Sequence, residues 1–227
     1  LFLFLTSTTA TMKAIFAIAL LAAMIGAVSA TSGVDVSQLF PASSWKCLAN
    51  NGYVFGIPRC YCSSGKVDGN CAQSVANAWA GGMKYVDIYL FPCPKCGNAA
   101  GQVQTLKNYI KNNNVRFGQV WVDVEGTQYW LGDKSKNQVF MEQLCNATES
   151  IFGSSHWGIY SSPSQWNAIF GSSWSKYSNK PLWWPRYDNV PNLKTNWQNF
   201  GGWTKANIKQ YHGTTTVCGM SVDLNYY

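Results

Sequence analysis

At 227 residues the chain is long enough for one good-sized domain with a real core, and its formal net charge is +7 with few charged residues overall. That balance suits approach to an anionic polymer, either a bacterial wall or a nucleic acid. Its Lys and Arg residues are scattered rather than clustered, however, and no nucleic-acid motif is present, which excludes DNA and RNA as partners. Eleven Trp and twelve Tyr supply flat faces of the kind carbohydrate sites use, although many of these rings have to be core.

In chain order, the first eleven residues precede Met12 and read as upstream sequence. Met12-Lys13 then opens a basic region, Ala14 to Ala27 is apolar and uncharged, and Val28-Ser29-Ala30 is a small-residue cleavage site. The apolar run is shorter than the ~20 residues a bilayer span requires, so the pattern predicts a signal peptide and no membrane span after its removal. Its loss with Lys13 lowers the formal charge from +7 to +6. The mature chain is expected to begin near Thr31.

Eight short apolar, β-rich runs follow: Gly33 to Val36, Tyr53 to Ile57, Tyr85 to Leu90, Phe117 to Val124, Trp157 to Tyr160, Pro181 to Trp184, Ile208 to Tyr211 and Ser221 to Asn225. Between the earlier ones, Asn70 to Gly81, Ala100 to Asn112 and Gln138 to Phe152 carry apolar residues at helical spacing. Strands alternating with helices predict a parallel α/β fold of one domain. After Trp174 the helical pattern fades, so loops are expected to join the closing strands.

All eight cysteines, Cys47, Cys60, Cys62, Cys71, Cys93, Cys96, Cys145 and Cys218, lie beyond the leader. An even count behind a signal peptide predicts disulfides over zinc, despite Cys93-Pro-Lys-Cys96, and leaves on the order of a hundred connectivities open. No metal or cofactor is expected. Asn146-Ala-Thr148 is an N-glycosylation sequon on a predicted helix, next to Cys145.

Aspartate is disfavoured in strands, yet four of these runs carry one at or near their end: Asp35, Asp87, Asp123 and Asp223. Glu125 follows Asp123 at the two-residue strand period, which turns both side chains to one face. Two carboxyls held together in a partly dry site cannot both ionise easily, so one keeps its proton beside an ionised partner. That is the arrangement a glycosidase needs, and barrel enzymes carry it at the C-terminal ends of strands. For a lone strand-end Asp, a solvated acid or a helix cap is the competing explanation.

With these residues in place the sequence resembles the glycoside hydrolase family 25 lysozymes, the Chalaropsis type. Gly33-Val-Asp-Val-Ser-Gln resembles the family's opening G-x-D-V/I-S motif, Tyr53 to Tyr61 its second strand, and Val86 to Phe91 its third. Val120 to Glu125 resembles the D-x-E strand and Gly158-Ile-Tyr-Ser the strand after it; Pro181 to Tyr187, Lys209-Gln-Tyr and Val222 to Tyr226 follow in the family's order. The resemblance implies a single flattened, TIM-like β/α barrel whose last strands lack helices, with residues 31–227 as the catalytic domain. It implies a secreted or lysosomal and phagosomal lysozyme, expected to be a monomer, cutting the β-1,4 bonds of bacterial peptidoglycan. By position, Glu125 would be the general acid and Asp123 its partner at the substrate's 2-acetamido group, with Asp35 and Asp223 flanking them. Arg59, Tyr89, Tyr160, Trp183, Tyr187 and Tyr211 are the candidate substrate-binding residues, while His156 and His212 read as structural. Asp87 stands where the family has a small residue and reads as non-catalytic, and Pro185 and the cysteines also depart from the family's pattern. Three rivals are a chitinase, whose D-x-x-D-x-D-x-E motif would need Asp where Gly118 and Trp121 stand, a non-catalytic carbohydrate binder, which would be expected to lose the acid, and a disulfide-rich structural protein, which leaves the acidic strand ends unexplained.

Overall fold

The structure, a computed structural model, describes residues 31–227; the leader read at Met12–Ala30 lies outside the described residues. Eight strands close a barrel. In order around it they are β1 (Ser32–Val36), β2 (Tyr53–Cys62), β5 (Ile88–Leu90), β6 (Val120–Asp123), β7 (Trp157–Tyr160), β8 (Leu182–Pro185), β9 (Ile208–Val217) and β10 (Met220–Tyr226), which returns to β1. Two short strands, β3 (Lys66–Val67) and β4 (Tyr85–Val86), pair with β2 outside this circuit. Every run read as a strand therefore holds one, the third being split into β4 and β5.

Among the described residues five α-helices cover the outside: α1 (Ala42–Asn50), α2 (Cys71–Ala80), α3 (Ala99–Asn112), α4 (Lys134–Phe152) and α5 (Pro163–Phe170). Local chemistry starts several of them. Asp133 caps α4 by accepting from the Ser135 and Lys136 amides, and Ser162 caps α5 by accepting from Gln165, with Pro163 at the first helical position. No described helix follows Phe170, so β8, β9 and β10 are joined by loop and hairpin as expected.

The sheet is not wholly parallel. Strands from β1 round to β9 run parallel, but β10 is antiparallel to both β9 and β1. The cause is the two-residue turn Cys218-Gly219, in which both residues have positive φ (55° and 72°). That is the geometry of the tight hairpin turn matching the natural strand twist, and it returns the chain at once without a crossover.

Two separate cores result. The outer one lies between strands and helices and includes Trp45, Val75, Leu106, Met141, Leu144 and Trp166. The inner one fills the barrel with Phe55, Ile57, Tyr89, Trp121, Tyr160, Trp183 and Ile208. Trp183 sits at its centre, edge-on to Tyr160 at 4.6 Å, Trp121 at 5.9 Å and Tyr89 at 6.2 Å between ring centroids. Burying each such ring contributes about 1.5–3 kcal/mol. The lumen is thus a packed floor, and any open cleft has to lie at a rim.

Asp87 interrupts the third run between β4 and β5. Its carboxylate accepts from the Gln119 amide at 2.9 Å and from the Trp121 indole at 3.0 Å, at the start of β6. This satisfies a core indole at the end of β6 opposite Asp123. Three disulfides form, Cys47–Cys218, Cys60–Cys71 and Cys93–Cys96, while Cys62 and the buried Cys145 are free thiols. The expectation that the even count pairs throughout fails at these two: Cys145 is packed inside α4, and Cys62 lies against the Asp68 carboxylate. Among the described residues no helix is long and apolar enough to cross a membrane. In the sequon, Asn146 is exposed on α4 but Thr148 is fully buried, its hydroxyl donating to the Leu144 carbonyl.

Candidate active site

β6 is buried throughout, and its chain alternates. Val124 is fully buried in the outer core, so Asp123 and Glu125 turn the other way. The backbone here is held firmly. The Val124 amide donates to the Tyr160 carbonyl at 2.8 Å, the Val124 carbonyl accepts from the Ser161 hydroxyl at 2.8 Å, and the Glu125 carbonyl accepts from the Trp130 indole at 3.0 Å. Gly126 then takes a positive φ of 64°, where an added Cβ would run into the Tyr129 ring.

Asp35 and Asp223 come to the same place from neighbouring strands, being direct partners in the β1–β10 ladder. Asp223 arrives in the middle of an antiparallel strand, not at a strand end as its motif suggested. Gln210 of β9 joins them: its amide nitrogen donates to Asp35 Oδ1 at 2.8 Å and to Asp223 Oδ2 at 3.0 Å. Asn225 also donates to Asp35 Oδ1 at 2.7 Å, and is itself held by the Trp183 indole at 2.7 Å. Gln210 and Asn225 were not among the residues singled out from sequence. The available signal was an amide within an apolar strand, two residues from Asp223 in the case of Asn225.

The four acids perturb one another. Burial pushes the Asp123 carboxyl well above its ordinary value, the charges of Glu125 and Asp35 add to this, and Arg59 opposes it. Asp35 is likewise raised, by burial first and then by Asp223, against the hydrogen bonds from Asn225 and Gln210. Glu125 is raised by burial and by the charge of Asp223. Asp223 is raised by burial, opposed by the Thr214 amide and by His212. One Asp123 oxygen, Oδ1, is buried without a hydrogen-bond partner among the described residues; such an orphan in a native site calls for a ligand or a catalytic explanation.

The aromatic candidates divide. The Tyr160 and Tyr187 hydroxyls both donate to the Gln210 carbonyl at 2.8 Å, and Tyr187 is 58% exposed. Tyr89 lies among the acids, whose charges join burial in raising its phenol while Arg59 opposes. Trp183 is 2% exposed, so its faces are taken up by the inner core and it forms the floor, not a stacking platform. Tyr211 stands apart: it lies at a register shift between β9 and β10, and its phenol is raised by burial and then by Tyr53, not by any of the four acids. Arg59 is paired with Asp68 at 2.8 Å and donates to the Ser37 carbonyl at 3.1 Å. His212 bonds to Asn189 and acts electrostatically on Asp223, so it is closer to the site than its sequence reading implied.

A cleft of about 560 Å³ opens over this rim, lined by Glu125, Tyr160, Gln165, Pro185, Arg186 and Tyr187 among others. A second cavity of about 480 Å³, lined by Asp87, Gln119 and Trp121, lies at the other end of β6, away from the acid cluster. Chemically, the rim offers carboxyls whose burial and mutual repulsion favour holding a proton, next to an open groove.

The sequence model of the family described as "Lysozyme-like protein 1" matches residues 26–211. The "Probable GH family 25 lysozyme 2" of Dictyostelium discoideum is 43% identical over 90% of this chain and 94% of its own. "Lysozyme-like protein 5" of Caenorhabditis elegans is 38% identical over 87% and 92%. Among solved structures, a family GH25 lysozyme from Aspergillus fumigatus superposes with a TM-score of 0.71 at 17% identity, covering 88% of this chain and 94% of that one. At that identity the superposition supports the flattened barrel, while the relatives supply the family. The chain belongs to the glycoside hydrolase family 25 lysozymes.

Proposed function

We propose that the protein is a lysozyme that hydrolyses the β-1,4 bond from N-acetylmuramic acid to N-acetylglucosamine in bacterial peptidoglycan. The single observation that carries this reading is the rim itself: Asp123 and Glu125 on one face, with Asp35 and Asp223 beside them, under an open cleft lined in part by Glu125. Glu125 is the general acid that protonates the leaving oxygen. It borders the cleft, and both burial and Asp223 favour its protonated form. Asp123, with its unpartnered Oδ1, orients the 2-acetamido group of the substrate or stabilises the positive charge that develops next to it. Tyr187 offers an exposed ring for a sugar face, and Tyr160, Tyr89 and Trp183 shape the floor beneath it.

Residues 31–227 act as the catalytic domain, as a monomer, after loss of the leader at Met12–Ala30. Three disulfides support a secreted or lysosomal and phagosomal setting, since such bonds persist in oxidising compartments. The chitinase reading lacks its upstream acids at Gly118 and Trp121, and a mere carbohydrate binder leaves the raised Glu125 unexplained.

Clearing of a bacterial wall suspension tests the reading. The wild type is expected to clear it and to release fragments with a reducing muramic acid end. Glu125→Gln should lower the rate about 10²–10⁴-fold with the circular dichroism spectrum unchanged. Equal clearing by the variant, or cleavage of chitin in place of wall, would overturn it.

A further inference from the structure

Gln210 is 2% exposed and cannot titrate, yet among the described residues it is the one side chain bonded to the carboxylates of two of the four acids and to two tyrosines of the cleft. Its four hydrogen-bonding positions are all used. The two N–H groups go to different carboxylates, and the carbonyl accepts from Tyr160 and Tyr187. That fixes which way the amide points, because a flipped amide would set its carbonyl against two carboxylate oxygens.

The consequence falls on Asp223. Its Oδ2 accepts from Gln210 and its Oδ1 from the Thr214 amide. With an N–H donor on each oxygen, the geometry satisfies the charged form of Asp223 against the burial that raises its carboxyl. Asp35 differs: both its amide donors converge on Oδ1, which leaves the other oxygen without an amide partner. Asp223 in turn raises Glu125 after burial, its charge favouring the protonated acid.

We propose that Gln210 is a positioning residue for the reaction, holding Asp223 as a carboxylate beside Glu125 and in register with Asp35, so that the acid keeps the proton it has to give. The inference rests on the lysozyme reading of the cleft. The groups facing Asp223 and Glu125 are Asp35 on β1, Tyr89 on β5, Asp123 on β6, Tyr160 on β7, Tyr187 after β8 and His212 on β9, with Arg59 on β2 acting on Asp123 and Tyr89. None of these donates to Asp223 in a way that replaces the amide.

Gln210→Met keeps the bulk and removes the donor. Asp223 then binds its proton more readily, its field on Glu125 weakens, and Glu125 loses its proton at lower pH. The alkaline limb of the kcat/KM profile on wall fragments should move to lower pH. The value of kcat should fall about 10- to 100-fold with a smaller change in KM, the range expected for one bond to a charged group. In an Asp223→Asn background the same change should shift the limb by much less, because the charge it chiefly acts through is gone and only the route through Asp35 is left. Tyr187→Phe, which removes one of the two hydroxyls pinning the amide at an exposed position, should move the limb the same way by less and serves if Gln210→Met does not fold.

Carboxyl ¹³C titration of Asp223 in both variants gives a readout that does not depend on catalysis. A raised Asp223 titration supports the role even should the wild type cut no wall polymer, in which case only the functional reading falls. An alkaline limb and an Asp223 titration that match the wild type in both variants, or a shift that persists undiminished in the Asp223→Asn background, would overturn it.

Discussion

The Cys47–Cys218 disulfide ties the tip of the β9–β10 hairpin to α1, and that hairpin carries Gln210, Asp223 and Asn225 without any helix following it. It closes a loop with a sequence separation of 171, whereas Cys60–Cys71 closes one of 11. In the chain-entropy account, stabilisation grows with the logarithm of the loop, giving about 5 kcal/mol for the long loop and about 3 kcal/mol for the short one. Set against a total stability of about 5–15 kcal/mol, the long closure is a large share. Replacing Cys47 and Cys218 together by Ser should therefore lower the urea midpoint by about 2 M, taking a slope of about 2–3 kcal/mol per M. The Cys60→Ser/Cys71→Ser pair should lower it by little more than half as much. Equilibrium unfolding followed by tryptophan fluorescence measures both. The ordering is the part that tests the reasoning: equal losses, or a larger loss at the short loop, would refute the loop argument and place the stabilisation in local packing around the sulfurs.

The raised carboxyls make a second prediction with a definite sign. Asp123 has a folded-state value above its unfolded one, so the folded protein binds its proton more tightly and stability falls as pH rises from about 3.9 towards that value. Asp123→Asn removes this effect: it should raise the melting temperature at neutral pH, with a gain that vanishes below about pH 4, while wall-clearing activity is lost. A melting temperature unchanged or lowered at pH 7 would contradict the burial argument. Lys209 is fully buried and bonded to Asp188 at 2.8 Å, with its ammonium 5.2 Å from the centre of the Trp184 ring. Lys209→Met should cost about 3 kcal/mol in urea unfolding, the low end for breaking a buried pair, because Asp188 is partly exposed and keeps the Asn196 side chain and the Val190 amide as donors. A neutral result would mean that the freed carboxylate relaxes into water.

Much of the barrel was legible because strand and helix periods differ, and every apolar run read as a strand holds one, though Asp87 splits the third in two. The two helices not read from the pattern, α1 and α5, are short; α5 nevertheless opens with Ser162-Pro163, a cap and first-turn pair visible in the chain. The antiparallel return of β10 was not read, since direction follows from the turn at Cys218-Gly219, where a non-glycine residue takes a positive φ. In the site, the two-residue period put Asp123 and Glu125 on one face, as the structure has them. It did not distinguish the floor of the barrel from the cleft: Trp183 and Tyr187 are both aromatic and near one strand, yet one is 2% and the other 58% exposed. Gln210 escaped for a chemical reason. Titratable groups announce themselves by type, whereas an amide acquires its role only from the four partners the fold brings to it. Parity likewise says nothing of distance, and Cys62 and Cys145 stayed thiols because the fold gave neither a partner.

The direct pairing of Asp35 with Asp223 bears on how this protein can vary in length. Side chains in a ladder alternate, so shortening or lengthening the Cys218-Gly219 turn by one residue would swing Asp223 off the cleft while leaving the barrel closed. The long connection from Arg186 to Asn207, which contains no helix or named strand, has no such register to keep. Insertions and deletions are therefore expected to collect in that segment among descendants of this sequence, remodelling the groove wall, while the hairpin turn keeps its two residues.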